Sequence, residues 1–148
     1  LQIAINAVRL LGWMQLPGNL NLLSQYASIA LLDFTVPGVP VPKQRPRLAK
    51  NGRVYTPART REYEYLVGDH ARAAVKRTGW ANVPGEYALQ VTVYRVRRAG
   101  DLDNYLKAIS DGLNGIVWPD DAMVRTLIAF ADLSRDNPRA DITVGRYL

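Results

Sequence analysis

The sequence predicts one α/β (α+β) domain, a mixed β-sheet packed against two main helices. Three observations carry this. The chain has 148 residues, the size of a single domain able to bury its own core. Its apolar patterns run in the order strand, helix, strand, helix, strand, strand, without an internal repeat. Every proline and most glycines fall outside those runs. Composition closes off other classes. The absence of cysteine removes a disulfide scaffold, a thiolate zinc site and a cysteine nucleophile. A single histidine, His70, is too little for a His-rich metal site or a Ser-His-Asp triad, and is expected to be structural.

Residues 1–28 are expected to form an N-terminal extension that packs on the core or on a second subunit. Leu1 to Trp13 suits a short apolar helix, broken at Pro17-Gly18 and followed by a second short one before Ile29. The stretch from Leu10 to Leu32 is uncharged, but Gln15, Asn19, Asn21, Ser24 and Gln25 interrupt it, so it is not expected to span a membrane. Met14 offers a natural start, which would leave residues 1–13 as upstream sequence.

The domain proper is placed at 29–148. Ile29 to Val36 is an apolar strand ended by Pro37-Gly38. Val39 to Arg53 reads as an irregular loop rich in proline and base, and Val54-Tyr55 as a short strand closing a hairpin over Asn51-Gly52. Thr56 is the expected N-cap, with Pro57 at the first helical position, of a helix from Ala58 to about Arg77 that Gly79 ends. Its predicted inner face is Tyr63, Leu66, Val67, His70, Ala74 and Val75. Tyr87 to Arg97 alternates as a half-buried strand should, with Leu89, Val91 and Val93 against Gln90, Thr92 and Tyr94. Leu106, Ile109 and Leu113 mark a second helix ended by Gly115, and Ala122 to Ala131 and Ala140 to Val144 complete the strands.

Charge is distributed unevenly. Residues 43–98 carry 13 bases and 4 acids, whereas residues 99–148 carry 5 bases and 8 acids, all aspartates. A basic segment suits a polyanion, and short carboxylates without histidine suit a hard, oxygen-bound cation. The aspartates concentrate around the second helix. In an extended segment Asp101 and Asp103 would point to one side; with Asp103 as helix cap, Lys107 follows one turn on and Asp111 one turn beyond. Trp118-Pro119-Asp120-Asp121 adds a second pair in a tight turn. Plainer readings exist for each: Asp103-Asn104 as a simple N-cap, Pro119-Asp120 as a type I turn, Lys107 as a surface partner of Asp111.

Phe34-Thr-Val-Pro-Gly-Val-Pro-Val-Pro-Lys-Gln-Arg-Pro-Arg47 resembles the opening of the RusA family of Holliday junction resolvases. Asp101-Leu-Asp-Asn104 with Lys107, then Asp111-Gly-Leu-Asn-Gly115 and Trp118-Pro-Asp-Asp121, resembles that family's central motif in the same order. The resemblance spans roughly Ile29 to Val144. It implies a homodimeric, Mg2+-dependent endodeoxyribonuclease, with Mn2+ as an alternative metal, of phage or prophage origin and working in the cytoplasm of a bacterial host. Its substrate would be four-way DNA, cut by paired nicks in recombination and repair, with no membrane and no small-molecule cofactor involved.

By motif position Asp101, Asp103 and Asp121 are the expected essential acids and Lys107 the accessory base. Asp101, Asp103, Asp120 and Asp121 are the expected metal ligands, and a one-residue loop difference would exchange the last two. Lys43, Arg45, Arg47, Lys50, Arg53, Arg97 and Arg98 are the expected DNA contacts, meeting phosphates and not sequence, with Arg59, Arg61 and Arg95 flanking the site. Residues 1–28 have no counterpart in the resemblance, and Tyr105 has no role in it. Two other functions are compatible with the residues: a nuclease for forks or flaps, and a catalytically silent DNA-binding protein.

Overall fold

The structure is a computed structural model that describes Leu22–Gln25 and residues 29–148. The helix expected over Leu1 to Trp13 lies outside the described residues. Of the segment before Ile29, Leu22–Gln25 forms a 3-10 turn. The chain then forms β1 (Ile29–Pro37), β2 (Arg47–Leu48), β3 (Val54–Tyr55), α1 (Ala58–Thr78), β4 (Tyr87–Arg95), α2 (Leu102–Leu113), β5 (Val124–Leu133) and β6 (Arg139–Tyr147). Together they make a single α+β domain with a mixed sheet and two main helices. Among the described residues no helix is long and apolar enough to cross a membrane.

The main sheet has the order β1-β6-β4-β5. β6 is antiparallel to both neighbours, and β4 and β5 are parallel. Parallel neighbours need a crossover, and α2 is that crossover. The aspartate-rich motif of the sequence therefore sits between the two strands it connects. One face of the sheet carries Leu32, Val36, Leu89, Val91, Val93, Ile142 and Val144 against Tyr63, Val67 and Ala71 of α1 and Tyr105, Ile109 and Leu113 of α2.

The helices meet through glycine. A Cβ on Gly112 would lie 2.8 Å from the Glu64 carbonyl oxygen, and one on Gly68 would lie 3.2 Å from the Gly112 carbonyl oxygen. This close approach turns the inner face of α1 toward small residues. Thr60, Tyr63, Val67, Gly68, Ala71 and Ala74 are buried, whereas Leu66, expected inside, is exposed and His70 is only half-buried. It also brings the residue before Gly112 in α2, Asp111, and Glu64 to one shared partner, Lys43.

Three other expectations are corrected. β4 was expected to be half-buried, yet Ala88, Gln90, Thr92 and Tyr94 on its second face are buried too, and the strand ends at Arg95. The 3-10 turn lies on that face: the Leu22 amide donates to Gln90 Oε1 at 2.8 Å, and Leu22 and Leu23 pack with Ala88 and Ile128. The basic loop is not wholly irregular, because Arg47–Leu48 pairs with Val54–Tyr55. At α1 the N-cap position is Pro57, without a side-chain cap, and its carbonyl accepts from the Thr60 and Arg61 amides. Gly79 ends the helix as expected, with φ +71° and its amide donating to the Val75 carbonyl at 3.0 Å.

Candidate active site

α2 is strongly two-sided. Tyr105, Ala108, Ile109, Gly112 and Leu113 face the core. On the other side Asp103, Lys107 and Asp111 recur at i, i+4 and i+8, with Leu106 and Ser110 between them. The helix begins at Leu102, so Asp101 is the N-cap and Asp103 sits in the first turn. The first turn is where exposed amides and the helix dipole favour a carboxylate. Asp103 Oδ1 accepts from the Asn104 amide at 2.9 Å.

The approach to this helix is braced. Gly100 has φ +77°, and a Cβ there would lie 3.1 Å from Tyr105 Cε2 and 3.3 Å from Pro42 Cγ. The Tyr105 hydroxyl donates to the Ala99 carbonyl at 2.8 Å. Arg95 Nη1 donates to the carbonyls of Ala99 and Gly100, and its guanidinium stands 5.8 Å from the Tyr105 ring centre. Arg95 thus holds the turn before Asp101, and Tyr105, for which the sequence suggested no role, locks the same turn from the helix.

The second carboxylate pair is placed by Trp118. Its ring is fully buried 5.9 Å from that of Tyr87, and its carbonyl accepts from the Gly115 amide at 3.0 Å. A 3-10 turn over Asp121–Met123 follows. Asp120 caps it, its Oδ1 accepting from the Ala122 amide at 2.8 Å. Asp121 lies one residue further on and faces the cavity.

That cavity, about 380 Å³, is lined by Asp103, Leu106, Lys107, Ser110 and Asp111 of α2, by Asp121, and by Leu89, Val124, Arg125 and Leu127 of the neighbouring strands. The structure therefore brings Asp103, Lys107 and Asp121 to one cavity. Asp101 and Asp120 are exposed and do not line it. Asp101 is the extended N-cap and Asp103 already lies in the first helical turn, so the two do not share one extended segment as expected. Among the described residues no group of three or more His, Cys, Asp or Glu is gathered as a metal cage.

The expected surface bases divide. Arg45, Arg47, Lys50, Arg53, Arg97 and Arg98 are exposed, as are Arg59 and Arg61 on the first turn of α1. Lys43 is not among them. Its Nζ lies between Glu64 and Asp111, 2.8 Å from Asp111 Oδ2 and in hydrogen-bond contact with Glu64 Oε1, and its amide donates to the Asn104 carbonyl at 2.8 Å. Burial lowers the pKa of this ammonium, but the hydrogen bonds and charges of Asp111 and Glu64 outweigh burial and raise it above 10.5. Lys107 is not the partner of Asp111; Lys43 is.

Sequence spacing missed Glu64 and Arg125. Glu64 belongs to the Lys43 bridge, and Arg125, paired with Glu86, forms part of the cavity wall. Ser110, three residues beyond Lys107 on the same helix face, was detectable from the period of α2.

Comparison with known proteins gives the family. The family model for Endodeoxyribonuclease RusA matches residues 37–145, which include the basic loop, α2 and both carboxylate pairs. Among curated proteins, the uncharacterized protein YqaN of Bacillus subtilis (strain 168) is 26% identical over 138 residues, covering 76% of this chain and 94% of that protein.

Proposed function

The chain belongs to the RusA family of endodeoxyribonucleases, and from that premise we propose that it is a Mg2+-dependent, homodimeric nuclease that resolves four-way DNA junctions by paired nicks. The observation that carries the reading is the convergence of Asp103, Lys107 and Asp121 on one cavity, with exposed bases on the loop tethered beside it.

The donor set fits a hard cation. Mg2+ takes one or two carboxylates and fills its remaining positions with water and phosphate oxygens. Asp103 and Asp121 offer two carboxylates at the cavity, and the remaining ligands are assigned to water and the DNA backbone. Asp101, exposed at the N-cap without a capping hydrogen bond, is the third acid of the set. Asp120 is assigned to its turn. When bound, the ion supplies a more acidic water and neutralises charge on the scissile phosphate.

The protein groups do the rest. Asp103 and Asp121 orient the attacking water. Lys107 presents an ammonium to the charge that develops on the phosphate oxygens. Arg45, Arg47, Lys50, Arg53, Arg97 and Arg98 hold the backbone in register.

A synthetic four-way junction incubated with Mg2+, beside a linear duplex and a Y-fork, tests the proposal. The junction is expected to be nicked in symmetric pairs, and Asp103→Asn to bind it without cutting. Failure to cut the junction removes the enzymatic reading, and equal cutting of all three substrates removes the junction preference.

A further inference from the structure

The hairpin β2–β3 presents a combination that neither the core nor the cavity uses. Leu48 and Val54 are cross-strand partners, so their side chains share one face of the ribbon. They are 72% and 69% exposed and belong to neither apolar cluster. Around them the sequence is strictly basic: between Asp33 and Glu62 there are seven bases and no acid, and Arg45, Arg47, Lys50 and Arg53 are all exposed.

The hairpin is held in shape and in place. The Ala49 amide donates to the Arg53 carbonyl at 2.8 Å, the Gly52 amide to the Ala49 carbonyl at 2.9 Å, and the Arg53 amide to Asn51 Oδ1 at 3.1 Å. Gly52, at φ +80°, supplies the turn. Below it, the Gln44 amide donates to Thr60 Oγ1 at 3.3 Å, and Lys43 ties the chain to Asn104 and Asp111. A two-stranded ribbon is marginal alone, so these stem contacts are what keep an unburied apolar pair projecting.

Two apolar side chains ringed by bases match a surface that offers phosphates and aromatic faces together. In a continuous duplex the faces of the bases are stacked and hidden. At a branch point stacking is interrupted and the faces are available. Apolar side chains such as leucine are used to enter opened base steps in this way. We infer that the β2–β3 hairpin is a wedge that places Leu48 and Val54 against unstacked bases at a DNA branch point, and so distinguishes branched from linear DNA. This rests on the nuclease reading. The reach is consistent with it: five residues from Lys43, which touches the cavity wall, to Leu48 span at most about 17 Å, so cavity and wedge can engage one branch point.

The test compares the full chain with Leu48→Ser/Val54→Thr in EDTA, on a four-way junction and a linear duplex each carrying 2-aminopurine at the central position. Wild type is expected to raise the fluorescence of the junction probe severalfold and leave the duplex probe unchanged. The double variant is expected to lose that rise and about tenfold in junction affinity, with duplex affinity retained. Leu48→Met/Val54→Ile is expected to keep the wild-type signal, which separates loss of the apolar face from damage to the hairpin. An unchanged signal and affinity in the serine-threonine variant overturns the wedge, as does an equal loss on junction and duplex. A change in oligomeric mass overturns it too, by assigning the face to a second copy of the chain. Wild type that neither binds nor cuts any branched DNA overturns the nuclease reading itself; wild type that cuts junctions while the variant behaves identically overturns the wedge alone.

Discussion

Lys43→Met keeps the stem of the side chain and removes only the ammonium shared by Glu64 and Asp111. The Lys43, Glu64 and Asp111 side chains are 17%, 20% and 32% exposed, so two carboxylates would be left facing each other with little water between them. Removing one partner of a fully buried pair costs about 3–5 kcal/mol, and an exposed pair contributes about 0–1 kcal/mol, so at these exposures the expected loss is about 2 kcal/mol. In a domain of this size that corresponds to roughly 4–8 °C in Tm.

Urea unfolding of wild type, Lys43→Met and the triple variant Lys43→Met/Glu64→Gln/Asp111→Asn measures it. The triple variant should recover most of the loss, because it removes the carboxylates the missing ammonium had neutralised. The pH dependence has a definite sign. The pKa of Lys43 is raised on folding, so its contribution is complete below the ordinary value of 10.5 and fades only as pH rises through the higher folded value. The gap between wild type and Lys43→Met should therefore be flat across neutral pH and close in strongly alkaline solution. A loss below about 0.5 kcal/mol, within the range of ordinary surface substitutions, would refute the reasoning, as would a further loss in the triple variant.

The two adjacent aspartates should separate cleanly. Asp121→Asn is expected to lower junction cutting by about 100-fold or more, as loss of a group stabilising transition-state charge does, while Asp120→Ala gives up a cap, about 1 kcal/mol of stability, and leaves cutting nearly intact; the reverse order in a cleavage assay would exchange their roles. Arg45→Ala/Arg47→Ala should weaken binding and reduce the slope of log K against log salt by about 2, one for each phosphate contact. An unchanged slope in a salt titration would take both residues off the DNA surface.

What was legible in the sequence was what repeats locally. The strand and helix order, the end of α1 at Gly79 and the two-sidedness of α2 all follow from periods and caps, and the structure has them. What was not legible depends on residues far apart in the chain. Lys43 looks like one more base of a basic loop until Glu64 and Asp111 are brought to it by the glycine contact between the helices. The second face of β4 reads as polar because Gln90 and Thr92 alternate with valine and leucine. Nothing local shows that Leu22 and Leu23 cover this side and that the Gln90 carbonyl oxygen has a backbone donor. Asp103 reads as the helix cap from its neighbours alone, whereas the helix begins two residues sooner, with Asp101 as its cap and Asp103 in its first turn.

Among the described residues β1 has a single neighbour in the sheet, β6, paired along its whole length from Ile29 opposite Tyr147 to Pro37 opposite Arg139. During synthesis β1 therefore has no partner strand in this sheet until β6 emerges. β4, α2 and β5, which carry the cavity, are consecutive in the chain and can associate before that moment. The pairing at the rim is thus long-range in sequence, whereas the elements at the centre are joined by short connections, and long-range pairing of this kind is the slower to form.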